Sequence, residues 1–293
     1  MKVNAIMLTL ALMVATGLIF KGCESAERSG NTASVSIAPL KYFTDRLTGE
    51  AIEVNIMVPQ GASHGTYSPT AAQMQKLSDS QIYLRIGYLG YEQAFIDRLK
   101  DLNPTMKEVN LSKGVALIRG ESIDHGDHVH EGGIDPHIWM SPEVMLALLP
   151  VIKNSLTEAF PHLEETILAN YPSLEQDVQR VHADMKALTQ SLSKRRFLIF
   201  HPALTYLARD YNLEQVPIEF EGKEPTAARL RRMIQEAGAE AVPVILIQEE
   251  YDVRNANLVA AETGAEVITI NPLDYDWVKN MEALMNIFEA YLK

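Results

Sequence analysis

From residue 34 onward, two rhythms of apolar and polar positions alternate along the chain. Residues 35–38 (VSIA), 51–58 (AIEVNIMV), 81–87 (QIYLRIG) and 106–112 (MKEVNLS) are short runs rich in β-branched residues, which predict strands. Between them, 39–48, 70–80 and 90–102 carry apolar residues at helical spacing. Residues 113–140 follow neither rhythm and predict a loop. Next come 141–160, one helix bent at Pro150, and 172–193, a second of about six turns at 3.6 residues each. The alternation then resumes with strands in RRFLIF, EQVPIEF, PVILIQ and AEVITI and helices in PALTYLARDY, PTAARLRRMIQEAG, DVRNANLVAAETG and DWVKNMEALMNIFEAYL.

Strands alternating with helices imply βαβ units and parallel sheets. The expected fold is α/β: two lobes, each with a mainly parallel sheet flanked by helices, bridged by one long rigid helix. The expected boundaries are 34–165 for the N-terminal lobe, with a histidine-rich loop at 119–134, then 166–194 for the linking helix and 195–293 for the C-terminal lobe. A helix is a stiff connector, so large independent swings of the lobes are not expected.

The first twenty residues put Lys2 before a long apolar run, the pattern of an export signal, expected to cover 1–22. Cys23, directly behind it, is the only cysteine, so no disulfide can form within the chain. Its place points to lipid attachment after cleavage, with 23–33 as a flexible tether. Gly22 suits such a signal, whereas Lys21 and Phe20 do not. The alternative is that residues 3–20 remain as an uncleaved anchor, since roughly 20 apolar residues span a bilayer. Both readings place the body outside the cytoplasm, in the periplasm or at the cell surface. The formal charge is −12, and the export segment holds two lysines and no acid, so the exported body is more acidic still. Such a body attracts cations and repels nucleic acid.

Residues 124–139 read DHGDHVHEGGIDPHIW and hold four of the chain's eight histidines. In open α/β sheets, ligands bind just past the carboxyl ends of strands. His201 directly follows RRFLIF, His64 lies in the loop after 51–58, and His137 lies in the loop after 106–112. All three fit that rule, and they come from both lobes. Among the acids, Glu249 follows PVILIQ, and Asp274 and Asp276 follow AEVITI. Three imidazoles and a carboxylate form a set that Zn²⁺ accepts, and a site richer in carboxylate would suit Mn²⁺. His162 and His182 lie among Glu, Gln and Asp and are expected at the surface. Asp274 could equally shape the turn after Pro272.

The segments DPHIWMSPE (135–143), HPALTYLARDY (201–211), AAETGAEVITINPL (260–273) and GASHGTYSPT (61–70) resemble the zinc- and manganese-binding proteins of ABC importers. These form cluster A-I, the high-affinity zinc uptake or TroA-like family. The similarity runs in order from about residue 34 to the end. It implies a fold of two α/β lobes bridged by a long helix, no enzymatic activity, and an ABC permease as partner. It makes His137 and His201 metal ligands. Manganese-type members often carry glutamate in place of His201, so the histidine favours zinc, as does the histidine- and acid-rich insertion before DPHIW.

The chain departs from the family pattern at two places. GASHGTY puts His64 where a proline belongs and Gly65 where the histidine belongs, and His64 is taken as the ligand because glycine at 65 loosens the turn. The glutamate common in zinc-type members falls on Gln248, with Glu249 next, and the loop supplying the usual aspartate is shortened to PLDYDW. Asp274 is the preferred fourth ligand, with Asp276, Glu249, Gln248 or solvent as alternatives. His125, His128 and His130, among Asp124, Asp127 and Glu131, are read as an accessory loop that gathers zinc weakly. The expected function is capture of Zn²⁺ between the lobes by a monomer, with affinity falling as pH drops through roughly 6.5. The rivals are the same scaffold carrying Mn²⁺ or Fe²⁺, and a secreted zinc hydrolase with Glu249 or Glu219 as base, for which no HExxH or paired-carboxylate signature exists.

Overall fold

The structure, a computed structural model, describes residues 30–120, 123–124, 129–130, 133–219 and 225–293. The expected export segment with Cys23, and His125 and His128 of the accessory loop, lie outside the described residues. Among the described residues no helix is long and apolar enough to cross a membrane.

The N-terminal sheet is built from β1 (Thr32–Ile37), β2 (Glu53–Val58), β3 (Ile82–Arg85) and β4 (Lys107–Asn110), in the order β2-β1-β3-β4 and all parallel. Helices α1 (Ala38–Thr48), α2 (Ala71–Asp79) and α3 (Gly90–Leu102) connect them. Strand β1 is central, so both its faces are buried, as parallel strands require. Its buried polar residues are matched: Ser34 Oγ lies 2.8 Å from Ser80 Oγ and accepts from Asn55 at 3.0 Å. Helix α1 carries Pro39 in its first turn and is capped by Gly49 (φ +64°), the pairing that favours a sharp start and stop. Where an unbroken loop was expected after β4, a short antiparallel ribbon pairs β5 (Ile123–Asp124) with β6 (Val129–His130).

Two helices follow, α4 (Pro142–Ala159) and α5 (Glu164–Ser191). The sequence pattern starts the second one at Pro172, but it begins eight residues earlier and carries that proline inside. Proline at 172 leaves the carbonyl of Leu168 without its usual donor. Leu168 is 49% exposed, so water can take the donor's place. Helix α5 packs on α1 and α4 and, further along, on the last helix of the chain, α9 (Trp277–Leu292).

The second sheet comprises β7 (Arg196–Ile199), β8 (Glu214–Pro217), β9 (Val244–Gln248) and β10 (Glu266–Ile270), connected by α6 (Thr205–Asp210), α7 (Ala227–Ala239) and α8 (Arg254–Thr263). Its order β8-β7-β9-β10, again parallel, repeats that of the first sheet. Alternate residues of its strands face opposite sides. Phe197, Ile199, Val244 and Leu246 join a core shared with the N-terminal lobe, while Leu198, Phe200, Ile245 and Ile247 join a separate core under α7 and α8.

The seam between the sheets is stitched by indoles and phenols. Trp139 Nε1 donates to Pro272 O and Trp277 Nε1 donates to Trp139 O, each at 2.8 Å. Tyr275 donates to Asp45 Oδ2, and Tyr206 to Asp135 O, also at 2.8 Å. The Trp277 ring packs on Phe43 with centroids 5.3 Å apart.

Candidate metal centre

His64 sits in the loop between β2 and α2, and the sequence around it pins that loop at both ends. Gln73 closes a capping box with Thr70, and its Nε2 donates back to Ile56 O at 2.8 Å. Within the loop, Tyr67 N donates to Ser63 O at 2.8 Å. From the other side α3 presses close: a Cβ on Gly90 would lie 2.5 Å from Gly65 O, so only glycine lets the loop approach there. Glycine at 90 thus makes room for the loop that carries His64.

His137 lies just before a single 3₁₀ turn, Ile138–Met140. Asp135 Oδ1 accepts from both the backbone N–H and the ring Nδ1 of His137, each at 2.8 Å. Trp139 is fully buried beside it, with ring centroids 5.2 Å from His137 and 6.0 Å from His64.

His201 is two residues past β7. Sheet register explains its neighbours. Ile199 pairs with Pro217 on β8 and with Leu246 on β9, so two residues on, His201 stands level with Glu219 and Gln248. Gln248 grips its backbone, donating to His201 O at 2.7 Å and accepting from His201 N at 3.3 Å. Glu219 Oε1 is 2.5 Å from ring Nδ1. On its other face the His201 ring stacks with Tyr251, centroids 5.4 Å apart and planes inclined by 20°.

The three Nε2 atoms converge. They are 2.7 Å apart between His64 and His137, 3.2 Å between His137 and His201, and 3.3 Å between His64 and His201. Asp135 and Glu219 accept hydrogen bonds from the Nδ1–H groups of their histidines, so those two Nε2 atoms present lone pairs to the centre. Carboxylates that orient imidazoles in this way and raise their basicity are the usual outer layer of a metal site. Tetrahedral Zn²⁺ with bonds of about 2.0–2.1 Å sets nitrogen edges of about 3.3 Å, which two of the three edges match. His64 Nδ1 is buried and has no hydrogen-bond partner among the described residues.

Burial sets the charge state. It holds His64 well below the ordinary imidazole value of 6.5, with the neighbouring His137 and His201 rings adding to the effect. It also lowers His137, against the opposing pull of Asp135. For Asp135, burial alone would raise the pKa, but its charge pairing and hydrogen bonds with His137, with help from Thr205, leave it below the ordinary carboxylate value. The His64 and His137 rings, disfavoured as cations by burial and set beside the Asp135 and Glu219 carboxylates, leave the centre short of positive charge, which a divalent cation supplies.

The remaining candidates go elsewhere. Among the described residues only His64, His137 and His201 form a group whose ligand atoms all lie within 4.8 Å of one another. Asp274, the preferred fourth ligand, is not in it: its Oδ1 accepts from Asp276 N at 2.9 Å and shapes the turn. Asp276 caps α9 through Lys279 N and pairs with Lys279 Nζ. Glu249 is exposed, and Gln248 is occupied with the His201 backbone. His162 is exposed, but His182 is half-buried and bonds Tyr211 Oη at 2.8 Å through Nδ1. Asp135 and Glu219 were not anticipated as orienting groups: the DPH spacing carries the first, whereas the second follows only from the register past β7 and β8.

Residues 34–290 match the family described as zinc-uptake complex component A, periplasmic (ZnuA). The zinc-binding lipoprotein AdcA of Streptococcus pneumoniae is 27% identical over 307 residues, covering 98% of this chain and 60% of that protein. The chain thus spans well under two thirds of that longer relative. A crystal structure of ZnuA superposes with a TM-score of 0.81 at 31% identity, covering 89% of this chain and 99% of that one. A zinc-bound ZnuA deletion mutant gives 0.81 at 30%, with 90% and 98% covered. Fold and sequence agree along nearly the whole described body, and the chain belongs to the ZnuA family.

Proposed function

We propose that this protein captures Zn²⁺ outside the cytoplasm, through Nε2 of His64, His137 and His201, and passes it to an ABC permease. The supporting observation is the convergence of three imidazole nitrogens within 3.3 Å of one another, two of them backed by carboxylates, Asp135 and Glu219. The family description and the zinc-bound relative agree with it. No bond is made or broken: neutral nitrogens displace water from the ion, and the buried walls slow its return. The fourth position falls to solvent, since no protein carboxylate joins the group among the described residues. A nitrogen-only donor set favours Zn²⁺ over the oxygen-preferring Mn²⁺.

In this reading the lobes, 34–165 and 195–293, are jaws bridged by 166–194, and the protein acts as a monomer tethered through lipid on Cys23. His125, His128 and His130 form an accessory loop that raises the local concentration of zinc. The test is elemental analysis of protein purified without chelator, followed by competition between Zn²⁺ and Mn²⁺. One tightly held equivalent of zinc that excess manganese does not displace is expected. Manganese or iron in that place, or zinc retained by His137→Ala, would overturn the assignment.

A further inference from the structure

Tyr206, Arg209 and Asp210 stand at positions i, i+3 and i+4 of α6, so they share one face of that helix. All three reach out of the C-terminal lobe to the segments flanking the histidine-rich loop. The fully buried Tyr206 donates through its hydroxyl to Asp135 O at 2.8 Å and accepts from Ile118 N at 3.2 Å. Arg209 donates to Ala116 O at 2.5 Å, with its guanidinium 4.9 Å from the centre of the Tyr206 ring. Asp210, which pairs with Arg209, accepts from Ser141 Oγ. Asp135 N also donates to Ile118 O at 2.9 Å, so the Tyr206 hydroxyl bridges two strands of chain that are already joined to each other. The start of α6 is tied to the strand-end ligand: it lies four residues past His201. Gln215 of β8 pins it there, accepting from Leu204 N at 2.8 Å and donating to Thr205 Oγ1 at 2.9 Å.

We propose that Tyr206 is a positioning residue for zinc capture: it holds Asp135 from the opposite lobe and so fixes where His137 presents its nitrogen relative to His201. This rests on the zinc-capture reading above. A continuous path of hydrogen bonds runs from the His201 sheet through α6 to the main chain of Asp135, whose carboxylate holds both the ring and the backbone N–H of His137. Pro136 stiffens the last step, since it fixes its own φ and confines Asp135 to extended backbone. Zinc–nitrogen bonds of about 2.0–2.1 Å leave little room for a displaced donor. Loss of the hydroxyl frees Asp135 O and Ile118 N together, and the turn that carries His137 can then shift against His201. Tyr206 acts on the ion only through Asp135 and His137.

The test measures zinc affinity by chelator competition for Tyr206→Phe in three backgrounds: wild type, His137→Ala and His64→Ala. One hydrogen bond corresponds to about two- to tenfold in affinity. Tyr206→Phe should weaken binding by that factor in the wild-type and His64→Ala backgrounds and have no effect once His137 is gone. Tyr275→Phe is the control, because it removes an inter-lobe hydroxyl bond of the same 2.8 Å length that ends on Asp45 of α1 instead of beside a ligand. It should leave zinc affinity unchanged. With Co²⁺ in place of zinc, the visible bands of the ion report its ligand geometry, and Tyr206→Phe should alter them where Tyr275→Phe does not. Arg209→Met, at a more exposed position, frees Ala116 O and should give a smaller loss with the same dependence on His137. Wild-type affinity and cobalt bands in Tyr206→Phe, an equal loss from Tyr275→Phe, or a loss that persists without His137 would overturn the proposal. A wild-type protein that does not hold zinc would instead sink the capture reading itself.

Discussion

His64 stands six residues past β2 and His137 twenty-seven past β4, whereas His201 stands two past β7. The two lobes share a strand order, but they hold their imidazoles by different means. A ligand at a strand end inherits the register of its sheet, so the neighbours of His201 are side chains level with it on the flanking strands. Ligands on long loops have no such frame. His64 and His137 are instead held by close burial, 3% and 2% exposed, against Trp139, Gly90 and the local Asp135. Sheet register thus places His201, whereas contacts within the loops place the other two: packing for His64, and packing together with the Asp135 hydrogen bonds for His137.

The largest effect should come from removing a ring. His137→Ala or His64→Ala should weaken zinc binding by more than about a hundredfold, since loss of an outer-layer partner alone costs 10–100-fold. Calorimetry would check this, and a weaker response to His201→Ala would mark the N-terminal pair as the stronger grip. Next in size are the orienting acids. Glu219→Gln should fall within the 10–100-fold range. Asp135→Asn should fall at its lower end, because packing also fixes the His137 ring. Equal losses would mean that the lobes do not differ in this way.

A smaller effect follows from pH. His64 and His137 have folded pKa values below 6.5, so between those values and 6.5 the unfolded chain binds more protons than the folded one. The stability of the metal-free protein is therefore untouched by these rings above pH 6.5 and declines as pH falls below it. Proton competition with zinc is delayed in the same direction: from pH 7.5 to 6.5 each of these rings should cost less than about twofold in affinity. The expectation of a fall through 6.5 thus moves to lower pH for the N-terminal pair, and a titration of affinity against pH tests it. Asp274→Asn should show the smallest effect, leaving zinc affinity unchanged within experimental scatter. A tenfold loss there would bring the carboxylate back into the site.

The alternation of β-branched runs and helical spacing made both sheets legible, because the central strands β1, β3, β7 and β9 are buried on both faces and the strands are bounded by turns. Pro172 hid the true start of α5, since a proline reads as a helix boundary unless the carbonyl four residues back is known to be exposed. His137 and His201 could be found from the rule of strand ends. Glu219 could not be assigned its role, because an orienting contact depends on lateral register between strands far apart in sequence. Asp274 illustrates a related difficulty: the sequence shows an acid in a short loop after the last strand, but not that its carboxylate accepts from the turn's own Asp276 N–H.

Both tryptophans of the chain are fully buried and lie in the seam, one bonded to the backbone of the other. All indole emission from this molecule therefore originates within a few residues of the imidazole cluster, and none comes from the outer helices. Trp139, in ring contact with His137, makes the protein its own optical probe: filling and emptying can be followed by ultraviolet fluorescence without a label.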